Sequence, residues 1–399
     1  MTKLLIQHGP AKGQKIDNAF DRKCVQGVIF SPRDERIESI KQYCDECKYL
    51  SKENSFVDPQ FYYSTYSPEV LKLLNDQFEF PQKVKRMDWR KKSDRLIKYF
   101  NNYSEYVRNI SNSIITPGFC IDSIDWKFDY SIDIYEYFKE NYEFEQYYMS
   151  LMISSETFHS KNDIEDILEE LKESVDKKSG IYLVIKYPNS NIKTKNYESI
   201  DAETLSNILY FVYSLRNYGF KIIVGYTFLN SILFSMLGCE YVATGWFNNL
   251  RKFEQSKFEN ADSFGIRKKR YVSIPTLTYM TLELINDCKD IDITQLYSGT
   301  EIDEIAIEDH EKVSFVDLEQ EYWQALNNII NKLNEKNTTK EKVKYIKECI
   351  ERSIGIYEQI INVTEGKIEL QNRVKLQFKH IYDWKFAIEL FEKKVALLW

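Results

Sequence analysis

Turn breakers are scarce in this chain of 399 residues, which holds 13 glycines and 8 prolines. Average usage would give about 28 and 20. That scarcity excludes a collagen-like repeat and a flexible linker protein. Histidine is rarer still, at 4 residues, which argues against a multi-histidine metal centre. The seven cysteines are scattered at 24, 44, 47, 120, 239, 288 and 349. An odd, dispersed set reads as reduced thiols and points to the cytoplasm. No apolar run approaches the ~18–20 residues of a membrane span. The run Leu4-Leu5-Ile6 is too short for a signal peptide. Positive charge is not in excess either. The 54 Lys and Arg stand against 61 Asp and Glu, a net −7, so nothing attracts nucleic acid globally.

What the chain does have is core-forming material. Hydrophobic residues make up 43% and aromatics 15%, enough for a large buried core. Lys, Ile, Asn and Tyr are abundant, which points to an AT-rich, bacterial source.

Apolar runs recur with helical patterns between most of them. The runs fall at 27–32, 55–58, 113–117, 147–153, 181–188, 221–226, 240–245 and 271–275. Asp201 is placed to cap the helix that follows the fifth run, and Gly219 to stop it. Strands that are apolar throughout suit a parallel sheet covered by helices. A doubly wound open sheet shares this local pattern, but eight units in about 260 residues favour a closed barrel. The expected fold is therefore α/β, a (β/α)8 TIM-like barrel with a C-terminal α-helical extension. Residues 1–290 form the barrel, with a long basic insertion at about 66–112. An acidic linker spans 291–312. A helical tail spans 313–399, with apolar stripes such as Tyr322, Leu326, Ile329 and Leu333.

In such a barrel the active face is the set of loops after the strands. That rule selects Arg33 and Asp34, Asp58 and Gln60, Glu156, Lys186, Tyr226, and the group Asn248, Asn249 and Arg251. Asp58 closes an apolar strand before Pro59, where a carboxylate can act as base or nucleophile. Its bland role is to cap the turn. Glu156 is the expected second carboxylate, since glycosyl chemistry uses a pair; otherwise it is a solvated loop residue. Lys186 interrupts an apolar strand near its end. A desolvated amine there can form a Schiff base, although buried lysines are usually paired with an acid. Asn248, Asn249 and Arg251 are placed to hold a phosphate, or else to plug the barrel mouth together with Trp246.

The remaining signals are weaker. His8 sits in a turn-rich Gly-Pro-Ala-Lys-Gly segment that lacks phosphate-loop spacing. Cys44 and Cys47 share a helix face without a second pair, so neither zinc nor redox work is expected. The run Lys83-Val84-Lys85-Arg86-Met87-Asp88-Trp89-Arg90-Lys91-Lys92 is basic, and Trp89 is the residue to stack a base. It is the candidate contact for a nucleotide or nucleic acid; a solvated loop is the plainer account.

Two functional expectations follow. The first is a barrel enzyme without cofactor or metal, performing carboxylate-based glycosyl transfer or hydrolysis. Its substrate would be a nucleotide, nucleic acid or sugar phosphate, with Asp58, Glu156 and Lys186 as catalytic candidates. The second is a non-catalytic barrel that joins a multi-component system, such as phage defence, through residues 313–399. A protein partner or self-association would use that tail.

Overall fold

The computed structural model describes residues 1–65, 73–81, 83–188, 200–254, 268–288, 290–309 and 311–396. Eight parallel strands form its centre: β1 (Lys3–Gln7), β2 (Gly27–Phe30), β3 (Ser55–Val57), β4 (Ser113–Thr116), β5 (Gln146–Ser154), β6 (Gly180–Tyr187), β7 (Lys221–Gly225) and β8 (Tyr241–Thr244). They hydrogen-bond in the order β3-β2-β1-β8-β7-β6-β5-β4, all parallel. The result is a nearly closed barrel whose two free edges, β3 and β4, lie side by side.

Helices alternate with the strands: α1 (Lys15–Asp21), α2 (Ile37–Glu46), α3 (Asp94–Ile110), α4 (Trp126–Asn141), α5 (Lys161–Ser174), α6 (Ala202–Asn217) and α7 (Ser231–Met236). The expected helix signals operate. The Asp201 side chain accepts from Thr204 N–H at the start of α6. Gly219, with φ of +99°, ends it.

The eight strands differ in membership from the eight expected ones. The first is β1, whose apolar run is only Leu4-Leu5-Ile6 and gives almost no periodicity to read. The last expected strand, at 271–275, is not in the barrel. It belongs to an antiparallel hairpin, β10 (Arg270–Ser273) with β11 (Thr278–Thr281). A short apolar run carries no mark of its sheet. Between β8 and this hairpin lies β9 (Phe253–Glu254), which pairs with Lys186 and Tyr187 of β6.

The eighth position of the helical ring is filled from the C-terminal region, by α8 (Phe315–Asn334). It packs against β1, α1 and α7. Thr2 N–H donates to Asn334 Oδ1 at 2.7 Å, and Gln320 Nε2 to Lys15 O at 3.3 Å. The expected tail therefore begins inside the barrel wall. Beyond it, α9 (Thr339–Val363) and α10 (Ile368–Val395) pair with each other, and α10 lies along α6. His380 of α10 is buried, and its Nε2 donates to Leu277 O at 2.8 Å. The acidic stretch before α8 is packed, not a free linker. Tyr271 Oη donates to Asp303 Oδ1 at 2.6 Å, and Gly299 N–H to Asp303 Oδ2 at 2.7 Å.

The seam between β3 and β4 has no strand ladder. One backbone bond, Asn112 N–H to Lys52 O at 2.9 Å, spans it below. Above, the Tyr103 hydroxyl of α3 lies 3.0 Å from Val57 O and 2.8 Å from Ile115 O. Its one proton serves two carbonyls that a ladder would otherwise satisfy.

Alternation along the strands decides what fills the barrel. Phe56 meets Tyr148 and Tyr241 across it, with ring centroids 6.0 and 5.3 Å apart. Two residues above Phe56 comes Asp58. On β6, Gly180 leaves room for Tyr148, and Tyr182 lies two residues higher. Hence Asp58 and Tyr182 both project into the upper barrel, where they meet. No helix among the described residues is long and apolar enough to cross a membrane.

Candidate functional site

Asp58 is fully buried and gathers four donors. Its Oδ2 accepts from the hydroxyls of Tyr62 at 2.8 Å, Tyr182 at 3.0 Å and Tyr226 at 3.3 Å. Its Oδ1 accepts from Gln60 N–H at 3.0 Å. The Tyr62 and Tyr226 hydroxyls are themselves 3.1 Å apart. Burial raises the Asp58 carboxyl to about 6, and the four hydrogen bonds hold back part of that rise. Burial and the Asp58 charge likewise push all three phenols well above their ordinary value. Gln60 and Tyr226 both have positive φ, at 52° and 54°. A non-glycine backbone pays to adopt this region, and such strain gathers at functional sites.

A hydrogen-bonded chain leads outward from Asp58 across the ends of β3, β2 and β1. The Gln60 side chain donates to Ser31 Oγ at 2.8 Å and accepts from Arg33 N–H at 3.1 Å. Ser31 Oγ donates to Asp34 Oδ2 at 2.9 Å, and Ser31 N–H points to His8 Nδ1 at 3.3 Å. An Nδ1 that accepts carries no proton, so His8 offers Nε2–H to Glu35 Oε2 at 2.9 Å. Lys12 Nζ completes the chain at 2.8 Å from Glu35 Oε1. Burial acts to raise the Glu35 carboxyl, but the His8 and Lys12 hydrogen bonds outweigh it and bring it down to about 2.

The segment after β8 lies over this centre. Phe253 packs edge-on against Tyr62 and Tyr226, both at 5.3 Å between centroids. Trp246 is buried, and its Nε1 donates to Pro10 O at 2.9 Å. Leu250 sits where a Cβ at Gly9 or Gly245 would come within 2.5 or 2.3 Å of it. Those two glycines are needed for that close approach. Arg251 is buried too: Nε donates to Gly245 O at 2.8 Å, and the guanidinium stacks 3.7 Å from the Tyr322 centroid. It braces the plug instead of presenting a phosphate site. Asn249 Oδ1 is buried without a partner among the described residues. The Asn248 side chain lies outside what is described.

The structure thus joins Asp58, Gln60, Arg33, Asp34 and Tyr226 in one network and leaves others apart from it. Glu156 is exposed on the turn after β5 and has no hydrogen bond to Asp58. Lys186 is ion-paired with Asp122 at the rim, and its amine is raised, not lowered. That is opposite to what a Schiff-base amine needs. Trp89 is buried against Phe100 and Tyr137, with Nε1 donating to Asp133 Oδ2 at 3.1 Å. It is a core residue of the insertion, not a free stacking face. The charges around it, Lys83, Lys85, Arg86, Arg90, Lys91 and Lys92, are exposed. Burial lifts the thiols of Cys24, Cys44 and Cys239 to about 12, so none is reactive near neutrality. No group of three or more potential metal ligands occurs among the described residues.

Sequence reasoning set His8 aside and missed Glu35, Lys12, Tyr62 and Tyr182. His8 and Lys12 follow from the unread strand β1: once Leu4-Leu5-Ile6 is a strand, His8 stands at its carboxyl end. Glu35 is next to Asp34 on the loop after β2, and only its partners mark it out. Tyr182 was hidden because a tyrosine inside an apolar run reads as core.

No family model, no curated protein and no solved structure matches this chain.

Proposed function

We propose that the protein is a barrel enzyme that carries out glycosyl transfer or hydrolysis at the carboxyl ends of β1, β2 and β3. One observation carries this reading. Two carboxyls on a single hydrogen-bonded chain have acidities pushed far apart, Asp58 up to about 6 and Glu35 down to about 2. Such a split supports reading one as an acid and the other as a permanent anion. Asp58 keeps a proton into the mildly acidic range and gives it to the departing glycosidic oxygen. Glu35 stays ionised and balances the positive charge that develops on the sugar; water or an acceptor hydroxyl then bonds to the anomeric carbon and returns its proton to the Asp58 carboxylate. Burial keeps the proton on Asp58, while the tyrosine hydroxyls stand ready to stabilise the carboxylate once that proton has gone. Nucleotides, sugar phosphates and short RNA remain the substrate classes to test.

A second reading rests on the plug. Phe253, Trp246 and Leu250 cover the mouth, as expected of a non-catalytic barrel that works through a partner at α9 and α10.

The deciding experiment incubates wild type and Asp58→Asn with nucleotides, sugar phosphates and short RNA, and follows released base or sugar by mass spectrometry. The enzyme reading expects product from wild type and a loss of about 10²-fold or more in the variant. No product, with a stable complex formed instead through residues 339–395, would establish the binding module.

A further inference from the structure

Gln7 is the last residue of β1 and is fully buried inside the barrel. It is level with Ile29 on β2, and two residues above Leu5, whose side chain fills the space beside Gly27. Its amide lies close enough to the Tyr182 hydroxyl, which is committed to Asp58, to favour that phenol's ionised form, but the approach falls outside hydrogen-bonding geometry. Yet neither Nε2 nor Oε1 of Gln7 has a hydrogen-bond partner among the described residues. Ser150, level with Tyr182 on the adjoining strand, also leaves its buried hydroxyl unpartnered. A buried amide with both ends unmet is costly, and apolar residues of the same shape would be cheaper. Fold stability alone gives no reason for a glutamine here.

We propose that Gln7 is the recognition residue of the Asp58 site, exchanging hydrogen bonds with a pair of adjacent sugar hydroxyls. The inference rests on the reading of Asp58 as a glycosyl-transfer acid and names the part of the substrate that enters the barrel. A primary amide offers two donors and an acceptor, the set that a vicinal diol answers. Ser150 stands on β5, four strands round the barrel from β1, and offers an unpartnered hydroxyl from the opposite wall. Asp58 and Gln7 extend from strands on either side of β2. A sugar held by Gln7 therefore presents its ring to the carboxyl above. A site built on buried polar atoms discriminates strongly against a ligand lacking the hydroxyl, because those atoms are then left unpaired.

The test uses Gln7→Met, which keeps the shape and removes the amide. A residue kept for a ligand should become more stable on this change, with a melting temperature about 2 °C or more above wild type. In parallel, D-ribose is titrated against the full-length protein by NMR. The Gln7 side-chain amide pair is assigned by its absence from the variant. Ribose should shift that pair, 2-deoxyribose should do so about tenfold more weakly, and Gln7→Met should lose the ribose response. A lower melting temperature in Gln7→Met overturns the proposal, since the amide would then be structural. So does an amide pair that ribose leaves unmoved. Asp58→Asn separates this from the parent reading: turnover unaffected by that change, with the ribose shift intact, would remove the acid and leave the recognition residue.

Discussion

The hydroxyl of Tyr62 lies 2.8 Å from Asp58 Oδ2 and 3.1 Å from the hydroxyl of Tyr226, so two phenols from opposite sides of the mouth close over one carboxylate oxygen. All three groups are fully buried. Asp58 therefore stays protonated to higher pH in the folded chain than in the unfolded one. Between about pH 4 and 6 the native state binds more protons, and stability falls as pH rises. At pH 8 the ionised carboxylate costs about 3 kcal/mol relative to the acid form. Asp58→Asn should gain melting temperature relative to wild type on going from pH 4.5 to 8. A difference between the two proteins that does not change with pH would exclude the raised acidity.

Glu35 behaves in the opposite sense. Its carboxyl titrates at about 2 in the fold against 4.5 in a free chain. The stability it contributes is present above pH 4.5 and is lost as pH falls toward 2. Glu35→Gln should cost about 2 kcal/mol at pH 6 and far less at pH 2.5. Urea unfolding at both pH values checks this.

His380 gives a third pH signature. Burial lowers its imidazole to about 4, so the folded chain resists protonation. Stability present above pH 6.5 declines as pH falls through that value toward 4, by about 3 kcal/mol when the shift is fully expressed. The bond to Leu277 O ties α10 to the hairpin. Hydrogen exchange across 368–395 should therefore speed up between pH 7 and 4.5 more than exchange in β5 and β6.

Tyr103→Phe removes only the hydroxyl at the seam. Two buried carbonyls lose their shared donor, at a cost of about 1–3 kcal/mol. Denaturant unfolding reads the cost, and faster amide exchange in residues 55–57 and 113–116 should localise it.

Phe253→Ala should uncover Asp58. If the aromatic cover alone limits access, product formation rises in the substrate screen while thermal stability falls by about 3–5 kcal/mol. Lost turnover in a folded variant would instead make Phe253 part of the binding surface.

Seven of the eight barrel strands were legible because each is an apolar run bounded by turn signals and followed by a helical period. β1 was not: three apolar residues cannot be told from a chain end. The β10–β11 hairpin was misplaced because Tyr271-Val272-Ser273-Ile274 has the composition of a buried strand and nothing in it states direction. Asp58, Gln60 and Tyr226 were found by position at strand ends. Their joining partners were not, since Glu35 and His8 meet only through the fold. Glu156 satisfied the same positional rule and yet sits exposed, because a strand-end position does not fix whether a side chain turns inward.

The seam closed by Tyr103 bears on how the chain could have grown. β3 and β4 share no ladder, so nothing in the sheet's hydrogen bonding fixes how far apart in sequence they must be. The chain between them, residues 58–112, carries Asp58 at its start, aromatic helices among its described residues, and the tyrosine that shuts the seam near its end. Here the barrel offers a join that tolerates cargo, and the cargo supplies its own clasp.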